Sequence, residues 1–216
     1  GVPLFESGKR TQTDTLEGDS FQEHGFTGGY AGDYLGFSVA SAGDVNADGF
    51  DDIIVGAPFF DGLGTDKGFA YIYSGGPNMD YSPDLAMFGQ FVNERFGYSV
   101  APAGDVNNDG YADVIVGAIG LGAVLGKAYI HFGGATMNNT PDVILSAESP
   151  GDFFGISVSS AGDVNGDGFS DVIVGAYGYG GYTGKAYLYH GGASMNNVAD
   201  LTLYNGTSGG TFGVSV

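Results

Sequence analysis

One passage of this chain is written three times. It opens at Leu35-Gly36-Phe37-Ser38-Val39, passes through Ala42-Gly43-Asp44-Val45-Asn46-Ala47-Asp48-Gly49-Phe50 and ends at Ile53-Ile54-Val55-Gly56-Ala57. The same text returns from Phe96-Gly97 to Val116-Gly117-Ala118 and from Phe154-Gly155 to Val174-Gly175-Ala176. A fourth opening stands at Phe212-Gly213-Val214-Ser215-Val216. Asp44, Asp105 and Asp163 mark one point in each copy, so the spacing is 61 and then 58 residues. A unit of that size buries its apolar face by stacking on its neighbours.

Each copy reads as four short strands: one after the Phe-Gly pair, one over a β-branched run such as Asp113-Val114-Ile115-Val116-Gly117, one over Lys127–Phe132, and a weaker one near Asp142–Leu145. Gly-rich loops separate them and no segment keeps a 3.6-residue period, so helix should be scarce. The expected fold class is all-β, a β-propeller of four-stranded antiparallel blades. The chain, 1–216, reads as one propeller segment with about three complete blades over 35–90, 96–148 and 154–205. Residues 1–34 and 206–216 should add strands to incomplete blades at both ends. Closed propellers have at least about four blades, so a longer parent chain or self-association is expected to complete the ring.

With 25 acidic and 6 basic side chains the formal charge is −19. Such a chain repels nucleic acid and anionic lipid. Its longest apolar stretch, Ile53 to Phe60, is far short of the ~20 residues of a bilayer span, so no membrane insertion is expected. There is no cysteine, which excludes disulfides and thiolate chemistry.

Between the first and second strand of every copy stands Asp-x-Asn-x-Asp-Gly-aromatic-x-Asp. The candidate metal ligands are Asp44, Asn46, Asp48, Phe50 and Asp52; then Asp105, Asn107, Asp109, Tyr111 and Asp113; then Asp163, Asn165, Asp167, Phe169 and Asp171. Side-chain oxygens at positions 1, 3 and 5, a turn-forming Gly at 6, a backbone carbonyl at 7 and a carboxylate at 9 suit Ca²⁺, which takes roughly six to eight oxygens. Mg²⁺ fits less well because it keeps its waters in a strict octahedron. An EF-hand is excluded, since position 12 is Val55, Val116 or Val174 inside a strand rather than a bidentate Glu beside a helix. About three Ca²⁺, one per loop, would offset six of the nineteen negative charges. The competing explanation is an Asx-rich hairpin turn, which has to recur three times in register.

On these motifs the chain resembles the FG-GAP repeat family, the repeats of the integrin α-subunit β-propeller. Phe96-Gly97, Phe154-Gly155 and Gly56-Ala57-Pro58 carry the name, and the acidic loop matches in all three copies. The resemblance implies a propeller of usually seven blades, Ca²⁺ in loops on one face, and an extracellular role in adhesion or ligand binding. Some microbial and fungal relatives are lectins and a few are attached to enzymes. The first copy departs with Leu35-Gly36, and Ile119 and Tyr177 replace the Pro of Gly-Ala-Pro. Only the metal ligands carry over; no ligand-contacting residue does.

Elsewhere the sequence is sparse in chemistry. His131 and His190 lie in or at the end of matching third strands and read as lattice residues, and Lys127 and Lys185 read as solvated strand-edge charges. No nucleophile elbow, phosphate loop or zinc-protease helix is present, and Glu148 and Asp152 lack an evident acid–base partner. The loops after each second strand, notably Tyr177-Gly178-Tyr179-Gly180-Gly181-Tyr182, suit either inter-blade packing or docking of a sugar or protein. Asn138-Asn139-Thr140 and Asn205-Gly206-Thr207 match the glycosylation acceptor pattern. The reading is a non-enzymatic, secreted or cell-surface calcium-binding module for a protein or glycan ligand. The alternatives are a lectin on the same scaffold, or part of a secreted hydrolase or lyase.

Overall fold

The computed structural model describes residues 32–62, 65–77, 79–80, 82–204, 206 and 209–216. Most of the 1–34 segment expected to add a strand to an incomplete blade lies outside them, as do Asn205 and Thr207 of the second acceptor pattern.

Among the described residues, twelve strands form three antiparallel four-stranded sheets, each in sequence order. The first holds β1 (Ser38–Gly43), β2 (Asp52–Ala57), β3 (Phe69–Tyr73) and β4 (Leu85–Phe88). The second holds β5 (Phe96–Gly104), β6 (Asp113–Ala118), β7 (Lys127–His131) and β8 (Val143–Ser146), and the third β9 (Phe154–Gly162), β10 (Asp171–Ala176), β11 (Lys185–Tyr189) and β12 (Leu201–Leu203). These meanders are propeller blades, and among the described residues they do not close a ring. The described residues of 206–216 supply no strand; Phe212 makes a single parallel bridge to Gly184, matching that of Phe96 to Gly68. The one helical turn among the described residues, Tyr179–Tyr182, contains left-handed Gly180 and Gly181 and is better described as a tight loop.

The blades stack face to face, which explains why the second strands are apolar on both sides. On β6, Val114, Val116 and Ala118 join the cluster shared with the first blade, including Ile54, Ile72 and Met87. Ile115, between them, points the other way and joins Phe154, Val172 and Val174 of the third blade. Alternation therefore feeds two cores in place of one core and solvent. At the outer faces the same pattern is uncovered: Val39 is 60% exposed although its counterparts Val100 and Val158 are buried.

The two halves of the repeat motif meet across each blade boundary. A Cβ on Gly117 would overlap the carbonyl of Gly155, and one on Gly56 that of Gly97, so the Gly-Ala of one blade makes room for the Phe-Gly of the next. Ser38, Ser99 and Ser157 lock the same contact by donating to the carbonyls of Gly97, Gly155 and Gly213 at 2.9, 2.8 and 3.0 Å. Leu35-Gly36 keeps the backbone of the motif despite its sequence, with φ +88° at Gly36 against +84° at Gly97.

Candidate functional site

The three acidic loops join β1 to β2, β5 to β6 and β9 to β10, so they lie at one end of the blades. Their internal geometry is nearly identical. In the second loop the Asp109 N–H donates to Asp105 Oδ1 and Asn107 Oδ1, both at 3.0 Å, and the Gly110 N–H to Asp105 Oδ2 at 2.9 Å. Tyr111 N–H donates to Asp109 Oδ1 at 3.0 Å, and Asn107 Nδ2 to Asp109 Oδ2 at 2.8 Å. Asp44, Asn46, Asp48 and Phe50 repeat these bonds, as do Asp163, Asn165, Asp167 and Phe169. The turn is tight enough that position 4 is left-handed in every copy, at Ala47, Asn108 and Gly166. Gly110, at φ +91°, holds a conformation that side chains resist.

Positions 1, 3 and 5 are thus gathered in one exposed turn. Position 9 is placed differently. Asp52, Asp113 and Asp171 are 1%, 0% and 0% exposed, and each carboxylate spans two backbone amides. Asp113 accepts from Val106 N–H and Gly133 N–H, both at 2.8 Å. Asp52 accepts from Val45 and Gly75, and Asp171 from Val164 and Gly191. Burial pushes the Asp113 carboxyl up to about 7, against the two amides that favour its charge, and Asp109 and Asp105 push it the same way as burial. Asp52 is raised by the same cause. The amides of Gly168, Gly166 and Asp167 hold Asp163, on the open surface, below the usual carboxylate range.

Among the described residues no three His, Cys, Asp or Glu side chains converge closely enough to hold a metal on their own. The donor set nonetheless fits a hard cation. Each loop offers only oxygen: two carboxylates, an amide oxygen, a peptide carbonyl, and a ninth-position carboxylate whose oxygens each keep a lone pair beyond the N–H they accept.

Besides Phe50, Tyr111 and Phe169 in the acidic loops, aromatic side chains crowd the opposite end, which also carries, among the described residues, every Lys and Arg: Lys67, Arg95, Lys127 and Lys185. Each cation covers a ring: Lys67 lies 5.3 Å from Phe88, Arg95 4.6 Å from Phe59, Lys127 4.3 Å from Phe91 and Lys185 3.6 Å from Tyr179. Tyr34, Phe59, Phe37 and Tyr98 form a row with ring centres 5.0, 5.7 and 4.8 Å apart. Phe153 stacks on Tyr177 at 5.0 Å, with Tyr182 beside it. These loop aromatics divide between packing and display, since Tyr177 is half-buried while Tyr34 and Tyr182 are 63% and 49% exposed.

The lysines expected at a solvated strand edge are partly buried and paired. Lys127 lies 3.2 Å from Glu94 Oε1, and Lys185 2.7 Å from Glu148 Oε1. Third-strand side chains at this end turn inward under the β4–β5 and β8–β9 connections, which shields them from water. Glu94, fully buried, also accepts from the Tyr129 hydroxyl and from Phe91 N–H at 2.8 Å. Sequence reasoning passed over it, although an acid two residues before the motif recurs at Asp33 and Asp152 and both are buried too.

The FG-GAP repeat model matches residues 35–73, 96–131 and 154–189, the spans that build the first three strands of each blade. Over 192 residues the chain is 35% identical to integrin alpha-5 of Xenopus laevis, covering 83% of this chain and 18% of that protein. It is 36% identical to integrin alpha-IIb of Mus musculus over 172 residues (74% and 17%) and 35% identical to integrin alpha-PS5 of Drosophila melanogaster over 175 (77% and 17%). The chain thus spans under a fifth of each of these relatives. Among the described residues no helix is long and apolar enough to cross a membrane. Three matched repeats, each supplying an acidic loop, a Gly-Ala seat and a serine latch, place this chain in the FG-GAP repeat family, among the relatives of the integrin alpha subunits.

Proposed function

We propose that the chain is a non-enzymatic adhesion module of a secreted or cell-surface protein, its blades (35–90, 96–148 and 154–205) pinned by about three Ca²⁺. Asp44, Asn46, Asp48 and the Phe50 carbonyl would hold the first ion, with Asp52 behind them; the second and third loops would use the matching residues. The observation that carries this reading is the three-fold recurrence of one all-oxygen turn at one end of the blades, with no Lys or Arg there among the described residues to balance it. Asp105, Asn107, Asp109 and the Tyr111 carbonyl would hold the second ion, with Asp113 behind them, and its charge would offset the mutual repulsion of the three carboxylates. Its ligand, a protein or a glycan, would meet the aromatic end, where Tyr34 and Tyr182 are displayed. A longer parent chain or a second copy would complete the ring.

Chelation tests the ion directly. Removing Ca²⁺ should lower the melting temperature, since a ligand bound only by the folded state stabilises it by mass action. Asp48→Ala, Asp109→Ala and Asp167→Ala should each remove part of that calcium-dependent gain. A melting curve indifferent to chelator and to added Ca²⁺ would reject the assignment. The stacked Phe153–Tyr177 pair beside Tyr182 also offers a flat face for a sugar ring. Glycan-array binding lost in Tyr182→Ala would favour the lectin reading, and an array without signal would leave the protein ligand.

A further inference from the structure

We infer that Asp113 and Asp171 are positioning residues that couple consecutive acidic loops, through a belt of hydrogen bonds running across the blades. The belt starts in the first loop at Val45, whose carbonyl accepts from Gly134 N–H of the second blade at 2.7 Å. The adjacent Gly133 N–H donates to Asp113 Oδ1, and Asp113 Oδ2 accepts from Val106 N–H in the second loop, both at 2.8 Å. The same link follows one blade on. The Val106 carbonyl accepts from Gly192 N–H at 2.7 Å, the neighbouring Gly191 donates to Asp171, and Asp171 accepts from Val164 in the third loop. A second strut runs beside each aspartate: Ala112 N–H donates to the Asp44 carbonyl at 3.1 Å and Ser170 N–H to the Asp105 carbonyl at 3.0 Å.

Burial makes this arrangement a coupling. Val45 and Val106 are 3% and 0% exposed, so water does not replace a bond lost there. Turning the Asp113 carboxylate away frees Gly133, then Gly134, and removes support from the Val45 peptide one blade back. The third loop shows the unsupported case: Val164 is 53% exposed, and among the described residues no backbone N–H donates to the carbonyls of Asp163 or Val164. The coupling therefore has a direction, each loop being braced by the aspartate of the blade that follows it. It stands on hydrogen bonds alone and requires no ion in any loop. If the loops hold Ca²⁺ as proposed above, loading of one site will depend on the next.

Amide hydrogen exchange on the whole chain, in chelator and again in Ca²⁺, tests this. In the wild type under chelator, at a concentration where sedimentation shows a monomer, the Gly168 amide should exchange at least about threefold faster than those of Gly49 and Gly110. Asp113→Asn keeps the size but presents an N–H₂ to one of the two donors. It should speed exchange at least about threefold at Asp48, Gly49 and Phe50 of the first loop, besides its own loop, and leave Asp167 and Gly168 unchanged. Asp171→Asn should shift the effect by one blade, to Asp109, Gly110 and Tyr111, sparing the first loop. Acceleration confined to the mutated loop, or spread evenly over all three, would overturn the coupling. Should a variant fail to fold, equal wild-type rates at Gly49, Gly110 and Gly168 would overturn it alone. Slowing by Ca²⁺ reports the ion and not the belt, so loss of the calcium response with the staircase of rates intact would sink only the metal assignment.

Discussion

The hydroxyl of Ser99 donates to the carbonyl of Gly155 at 2.8 Å, joining the second blade to the first residues of the third. Beside it, Gly117 leaves no room for a Cβ against that carbonyl and the Ser99 hydroxyl. The repeat motif is therefore a joint, and its two sides should respond differently to mutation. Ser99→Ala removes one neutral hydrogen bond and should cost about 1 kcal/mol, a fall of ~2–4 °C in melting temperature for a domain of this size. Gly117→Ala drives a methyl into backbone that has no flexible end to yield and should cost about 3 kcal/mol. Urea or thermal unfolding of the two variants checks the order; a cost for Gly117→Ala no larger than that for Ser99→Ala would refute it.

His131 should make stability depend on pH. Its ring is 1% exposed, edge-on to Phe96 at 6.2 Å. Neither nitrogen has a partner of good hydrogen-bond geometry among the described residues. Burial pulls it down to about 4, with only a weak opposing contribution from the Thr140 backbone. Between an unfolded value near 6.5 and about 4 the unfolded chain binds the extra proton, so this stability is complete above pH 6.5 and lost as pH falls toward 4. The loss amounts to about 3 kcal/mol at most. His131→Phe should flatten that limb, and the difference between variant and wild type isolates the histidine from carboxylates titrating in the same range. Parallel curves from pH 7 to 4.5 would rule this out.

Glu94 should be intolerant of neutralisation. Glu94→Gln strips Lys127, only 14% exposed, of its counter-charge and turns an N–H₂ toward donors already facing the site. Removing one partner of a buried pair costs about 3–5 kcal/mol. Adding Lys127→Met should restore much of it, because the unpaired charge is then gone. A double variant as unstable as the sum of the singles would show that the pair is not coupled.

The blade architecture was legible in the sequence because the repeat states it three times, and alternation in Val114, Ile115 and Val116 needed only two faces to bury. The gathering of Asp105, Asn107 and Asp109 followed from spacing, since a Gly at position 6 forces the chain back on itself. The inward placement of Asp113 did not follow, because its second donor, Gly133, comes from a loop 20 residues away. Ser99, Glu94 and the pairing of Lys185 with Glu148 were hidden for the same reason: each partner lies in another blade or another connection, at a distance local pattern does not report. The serine did leave a trace, standing two residues after the motif's glycine at 38, 99, 157 and 215.

Among the described residues, lysine and arginine gathered at one end, with the aspartate turns at the other, make the body's negative potential uneven along one axis. A polyanion is repelled from every side of such a particle, least at the cation-and-ring end, where Asp66, Glu94 and Glu148 offset Arg95, Lys127 and Lys185. Encounters with a polyanionic surface should accordingly quicken as salt shortens the reach of that repulsion, with the aspartate turns left facing bulk water.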